Sequence, residues 1–313
     1  MSLRFETIAR PFCRQAAPAA LAVTLLAGSA NGQIFLSEYF DYGPTNVVGN
    51  VASPPFGGIP FTSNTNTMSY LGSANAANNA AFTGTGYILQ PENLSTGSMQ
   101  ASPSSNNQTR GIQRPLPSAL SGEFWMSVLL RPGAALDTND ETLIIAFNSI
   151  NYNNANPGGF GFGLGYSDGA IRTAVLDTNG SLLSTANDSY APSTASTGFV
   201  LMIARVIVNT AAFDSIDLWT FANDANVPTT VAGLGTPTLS NSVVDWGDSI
   251  SNFWLGARRV NGGGSGGNGQ FDAIRISNLS GDDGFTQMLI PEPATIALLG
   301  VGIAALAARR RRN

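Results

Sequence analysis

Any chemistry in this chain falls to carboxylates, because histidine is absent and so is lysine. Without imidazole there is no Ser-His-Asp triad, no His-ligated zinc site and no histidine acid–base catalysis. Without lysine there is no P-loop. Gly263-Gly264-Ser265-Gly266-Gly267 formally matches G-x-S-x-G, but it lies within the glycine run 262–269 rather than at a strand-to-helix elbow. Two acids at a suitable separation suffice for glycoside hydrolysis. Away from the chain ends the glutamates are Glu38, Glu92, Glu123 and Glu141, and the close aspartate pairs considered are Asp214 with Asp217 and Asp245 with Asp248. Both pairs read most simply as turn and edge residues. Calcium is the cofactor that this supply of hard oxygen ligands favours. Asp137, Asn139 and Glu141 place oxygens at alternate positions, as the start of a calcium loop would. Thr142 then stands where the loop glycine belongs and Asn148 where the closing glutamate belongs. A polar turn ahead of a strand is the simpler reading. Trp219, Trp246, Trp254 and Tyr166 offer rings for stacking on sugar faces. Of these, Trp246 stands out, because Asp245 and Asp248 flank it among turn residues and could accept sugar hydroxyls.

The elements that would hold these residues are short and β-rich. Runs of β-branched and aromatic residues bounded by Gly, Asn, Asp or Pro predict strands at 124–131, 142–148, 171–176, 199–208, 215–221, 252–257 and 271–277. Asn209 and Asp214 bracket a predicted hairpin turn, and Asp177-Thr178-Asn179-Gly180-Ser181 reads as another. In 159–166 (GFGFGLGY) the alternation is strict: Phe160, Phe162, Leu164 and Tyr166 share one face and four glycines the other. A glycine face admits either a neighbouring backbone or a ligand. The run 262–269 is a loop joining two strands. Residues 43–118, rich in Pro, Asn, Ser and Ala, predict long loops with a few strands. Strands without intervening helices point to an all-β sandwich.

Four segments in a fixed order carry a resemblance. They are Glu38–Gly43 (EYFDYG), Glu123–Ser127 (EFWMS), Phe213–Phe221 and Phe271–Ser277 (FDAIRIS). Together they resemble concanavalin A-like, laminin-G-like jelly-roll domains. The resemblance covers most of residues 33–280 and implies a jelly-roll β-sandwich with an association to carbohydrate. No glutamate of this chain belongs to the E-x-D-x-E cluster that jelly-roll glycosidases carry on one strand.

Both ends read as addresses. Arg4, Arg10 and Arg14 precede the apolar stretch 16–27, and the small residues 28–32 follow. This is a signal peptide spanning 1–32, with cleavage after Ala30 or Gly32. At the other end Pro291, Glu292 and Pro293 stand before the apolar segment 294–308, which is followed by Arg309, Arg310, Arg311 and Arg312. Fifteen helical residues reach about 22 Å at ~1.5 Å each, short of the roughly 30 Å hydrocarbon core. The arginines favour the cytoplasmic side. This order resembles the PEP-CTERM sorting signal, which implies processing by an exosortase-type enzyme after transient membrane insertion through 294–308. An ordinary uncut anchor is the alternative.

Removing both ends takes away seven of the fifteen arginines together with Glu6 and Glu292. Eight arginines then face eighteen acids, a balance that disfavours nucleic acid as a partner. The sole cysteine, Cys13, lies in the signal region, so a domain at 33–290 has no disulfide and its stability rests on a core. The expected protein is exported and non-catalytic, with a structural or glycan-associated role at the cell surface or in the extracellular matrix. A polysaccharide-active enzyme and a self-assembling matrix protein without a glycan ligand are the competing readings.

Overall fold

The computed structural model describes residues 35–38, 68–72, 82–87, 97–101, 108–133, 142–147, 160–167, 169–176, 182–191, 193, 195–210, 213–245, 247–259 and 269–289. All of them belong to one compact unit, Ile34–Pro291. The predicted signal helix and the predicted membrane helix lie outside the described residues. Among the described residues, fourteen strands form two antiparallel sheets. The strands are β1 (Leu36–Glu38), β2 (Met68–Gly72), β3 (Gly97–Ala101), β4 (Gln108–Leu120), β5 (Gly122–Pro132), β6 (Thr142–Phe147), β7 (Phe160–Ser167), β8 (Ala170–Leu176), β9 (Leu182–Tyr190), β10 (Val200–Val208), β11 (Asp214–Ala222), β12 (Leu239–Val244), β13 (Ile250–Arg259) and β14 (Gly269–Ser277). The first sheet runs β12-β11-β10-β5-β14-β3-β2, with β1 also paired to β14; the second runs β4-β13-β6-β7-β8-β9.

Period-two alternation decides which face of each strand enters the core. Phe124, Met126, Val128 and Leu130 of β5 and Met202, Ala204 and Val206 of β10 meet Leu143, Ile145, Phe147, Phe160, Phe162, Leu164, Phe253 and Leu255 of the second sheet. Phe124 and Phe147 close the sandwich edge to face across this layer, with ring centroids 5.6 Å apart. The two sheets therefore form a β-sandwich, as the run of strands without intervening helices predicts.

The glycine face of β7 is explained by its neighbour. A Cβ on Gly163 would lie 1.8 Å from the Leu143 carbonyl oxygen of β6, and one on Gly161 would lie 2.4 Å from that of Ile145. Close strand packing, rather than room for a ligand, is what these two glycines provide.

The sequence reading misses several elements. β4 and β9 are largely polar and lie at the two edges of the second sheet. Pro115 and Pro117 are tolerated in β4 because an edge strand has one side without a ladder. Gly269, expected in the glycine loop, is instead the first residue of β14, paired with Ala101 and Pro132. The sequence expects a few strands in 43–118 without placing them; β2, β3 and β4 lie in or reach into that stretch. Two helices were not expected: α1 (Val231–Leu234) and α2 (Gly281–Leu289).

Helix α2 exists because the first sheet is apolar on both faces. Away from the sandwich core, Trp125, Leu129, Leu201, Ile203 and Trp219 form a second cluster, which Phe285, Met288 and Leu289 of α2 complete. Those three residues sit at helical spacing on one face. Burying each contributes about 1.5–3 kcal/mol, which a nine-residue helix needs, since one this short is marginal alone. Gly284 lets the helix lie flush on the sheet: a Cβ there would be 2.7 Å from Trp125 Cδ1. The Trp125 ring stacks on Trp219 at 5.8 Å and touches Phe285 at 5.3 Å.

Opposite charges meet the two ends of α2. Glu123 Oε1 accepts from the Gly281 N–H at 2.7 Å and from Trp125 Nε1 at 2.9 Å, while Arg205 Nη2 donates to Oε2 at 2.8 Å. At the other end Arg275 Nη1 donates to the Met288 carbonyl at 2.7 Å, its guanidinium lying over the Tyr87 ring at 4.6 Å. A carboxylate at the helix start and a guanidinium at its end both match the helix dipole. Asp282 Oδ1 further accepts from the Val231 N–H at 2.6 Å, tying α2 to α1. Burial would raise the Glu123 carboxyl, but Arg205, the Gly281 N–H and the Trp125 N–H outweigh it and hold the group below its ordinary value.

Two outcomes follow from this packing. Gly163→Ala should lower stability by about 3 kcal/mol through overpacking, read as a fall of roughly 6–12 °C in Tm. Because the folded state depresses the Glu123 pKa, its contribution is fully present above the ordinary value of 4.5 and is lost as pH falls through the lowered folded value. Glu123→Gln should cost about 2–3 kcal/mol at neutral pH and flatten the acid limb of a Tm-versus-pH curve. An unchanged acid limb would contradict the assignment.

Candidate functional site

The carboxylates that the structure describes are largely committed to the fold. Glu123 is held ionised by three donors, so it has no proton to give as a general acid at neutral pH. Arg205, which binds it, also lies 3.9 Å from Asp217 Oδ2, and Ser240 Oγ donates to Asp217 Oδ1 at 2.7 Å. The result is a polar row across β5, β10, β11 and β12. Asp217 therefore sits inside the first sheet and is not the edge residue the sequence suggests. Asp214 is buried and accepts from the Asn209 N–H at 2.7 Å, closing the β10–β11 hairpin where the sequence places a turn. Among the described residues no group of three or more His, Cys, Asp or Glu side chains is arranged to hold a metal ion. The calcium candidates Asp137, Asn139 and Glu141 fall between β5 and β6, outside the described residues.

The aromatic candidates divide similarly. Trp219 stacks on Trp125 and donates from Nε1 to the Gly235 carbonyl at 3.3 Å. Trp254 is buried with Ile144, Ala146 and Leu176 in a small cluster on the second sheet. Tyr166 packs against the main core. Asp245 and Asp248 are exposed in the link between β12 and β13. Asp245 Oδ1 accepts from the Gly247 N–H at 2.8 Å, and Gly247 takes the positive φ of 84° that closes this turn. Trp246, between them, lies outside the described residues.

The strongest functional signal adjoins α2. β14 ends at Ser277, three residues lead into the helix, and α2 ends at Leu289, which is 1% exposed. Only Ile290 separates that buried residue from Pro291. Ser280 followed three positions later by Asp283, ahead of Phe285, Met288 and Leu289, is the sequence signal that would have found this helix. Pro291, Glu292, Pro293 and Arg309–Arg312 lie outside the described residues, as does Ala30. Among the described residues no helix is long and apolar enough to cross a membrane.

Residues 289–312 match the PEP-CTERM protein-sorting motif. No curated protein sequence matches the chain. Among solved structures, the chain is similar to cellulose induced protein Cip1, with 12% identity, TM-score 0.45, and coverage of 78% of this chain and 97% of that one. It is similar to alginate lyase Aly36B, with 12% identity, TM-score 0.39, and coverage of 67% and 96%. It is also similar to an endo-β-1,4-glucuronan lyase from the fungus Trichoderma reesei, with 7% identity, TM-score 0.43, and coverage of 78% and 95%. Scores and identities this low assign no activity to the chain. What the residues and the motif match establish together is a two-sheet β-sandwich followed, at residues 289–312, by a PEP-CTERM protein-sorting motif.

Proposed function

We propose that the sandwich is an exported domain, concanavalin A-like in its jelly-roll winding, that is delivered to the cell surface or extracellular matrix. It is non-catalytic there and structural or glycan-associated. The observation that carries the reading is the PEP-CTERM match at 289–312. A signal peptide at 1–32, cut after Ala30 or Gly32, starts export. The segment 294–308 then holds the chain transiently in the membrane, with Arg309–Arg312 on the cytoplasmic side, until an exosortase-type enzyme cuts near Pro291-Glu292-Pro293.

Two features support a role without catalysis. The chain has no histidine, and Glu123, partly buried, is spent on an arginine and a helix start. Carbohydrate association is supported by the order of the jelly-roll-like segments and by the exposed acids Asp245 and Asp248 beside Trp246.

Intact mass spectrometry of protein recovered separately from cell envelope and culture medium tests the delivery. The expected species starts near Gln33 and ends near Pro291. Replacing Pro291-Glu292-Pro293 with alanines, or removing the exosortase-type enzyme, should leave the arginine tail attached. A wild-type mass that keeps Arg309–Arg312 would overturn processing and leave a tethered domain. A glycan-array signal that Trp246→Ala abolishes would support glycan association. Oligomerisation without sugar, together with an empty array, would favour a self-assembling matrix protein.

A further inference from the structure

The sorting motif and the folded sandwich overlap. The motif match begins at Leu289, and Leu289 is the last residue of α2, buried against the first sheet with Phe285 and Met288. Pro291 is two positions on in the sequence. An enzyme that cuts near Pro291 must receive an extended chain, and helical or buried backbone is cut through locally opened forms. Three residues on the N-terminal side of such a bond already include Met288 and Leu289, which are 0% and 1% exposed.

The helix is fixed by specific contacts at both ends, Arg275 holding its last turn and Asp282 its first. Arg275 binds the Met288 carbonyl, and Asp282 binds the Val231 N–H. Resting on the sorting reading above, we propose that α2 is a latch on processing: while its last turn is docked, the cleavage segment stays out of the enzyme's reach, and cutting proceeds through the form in which that turn has lifted. The processing enzyme supplies the bond chemistry; the sandwich controls access. When opening and closing are fast, the cutting rate follows the open population, so weaker docking means faster maturation. Processing would then favour chains whose α2 is undocked.

Pulse-chase of the full chain in cells that contain the processing enzyme tests this. The set is wild type, Arg275→Gln and Asp282→Ala, each with and without a Gly-Ser spacer of about ten residues inserted between Leu289 and Ile290. The spacer should speed processing of the wild type several-fold. Both substitutions should speed it without the spacer and add nothing once the spacer is present. Asp282 is exposed, so Asp282→Ala preserves the test should Arg275→Gln fail to fold. Equal rates with and without the spacer would overturn the latch. Chains processed neither with nor without the spacer, or cleavage that persists in cells lacking the processing enzyme, would instead overturn the sorting reading itself.

Discussion

The outer layer of this sandwich depends on one partly buried carboxylate. Glu123 sits near the start of β5, where it meets the Trp125 indole N–H, the Arg205 guanidinium and the first N–H of α2. Each contact needs the others. Arg205 compensates the charge that burial would otherwise push to neutrality, Trp125 donates to the carboxylate, and the helix start gains its strongest acceptor while the carboxylate is ionised. Trp125 then transmits that position to Trp219 and Phe285 through its ring.

This arrangement answers a packing problem set by the strands. β5 is buried from Phe124 to Pro132 and β10 from Val200 to Ala204, so the sheet at their centre cannot leave either side to water. One side meets the second sheet; the other requires a further layer, which α2 and residues around Tyr87, Val227 and Leu234 supply. The bulge in β14, where the β5 register shifts between Asp272 and Arg275 and Ala273 adopts φ 48°, belongs to the same layer. It brings the Ala273 carbonyl to the Tyr87 hydroxyl at 3.1 Å, beneath the Arg275 guanidinium.

Polar side chains that could have served chemistry are thus used to join elements. Asp214 closes a hairpin, Asp217 bridges Arg205 and Ser240, and Asp245 shapes a turn. The functional information lies instead in the sorting motif, whose first residue is a core residue of the sandwich. Targeting and folding therefore meet at Leu289.

Local alternation made the core strands readable. Phe124–Arg131, Phe199–Val208 and Phe271–Ser277 carry dense β-branched and aromatic runs, and all three appear as strands. Edge strands β4 and β9 were not readable, because a strand with one open side tolerates prolines and polar residues and loses its pattern. Linear motifs were legible because they are defined by residues adjacent in sequence: Pro291-Glu292-Pro293, an apolar run and four arginines. Only the folded chain could decide what Glu123, Trp125, Arg205 and Arg275 do, since apart from the Glu123–Trp125 bond these contacts join residues 13 or more positions apart. Arg205 is 82 residues and Gly281 is 158 residues from Glu123, and no local pattern encodes a contact whose geometry exists only once the first sheet has formed.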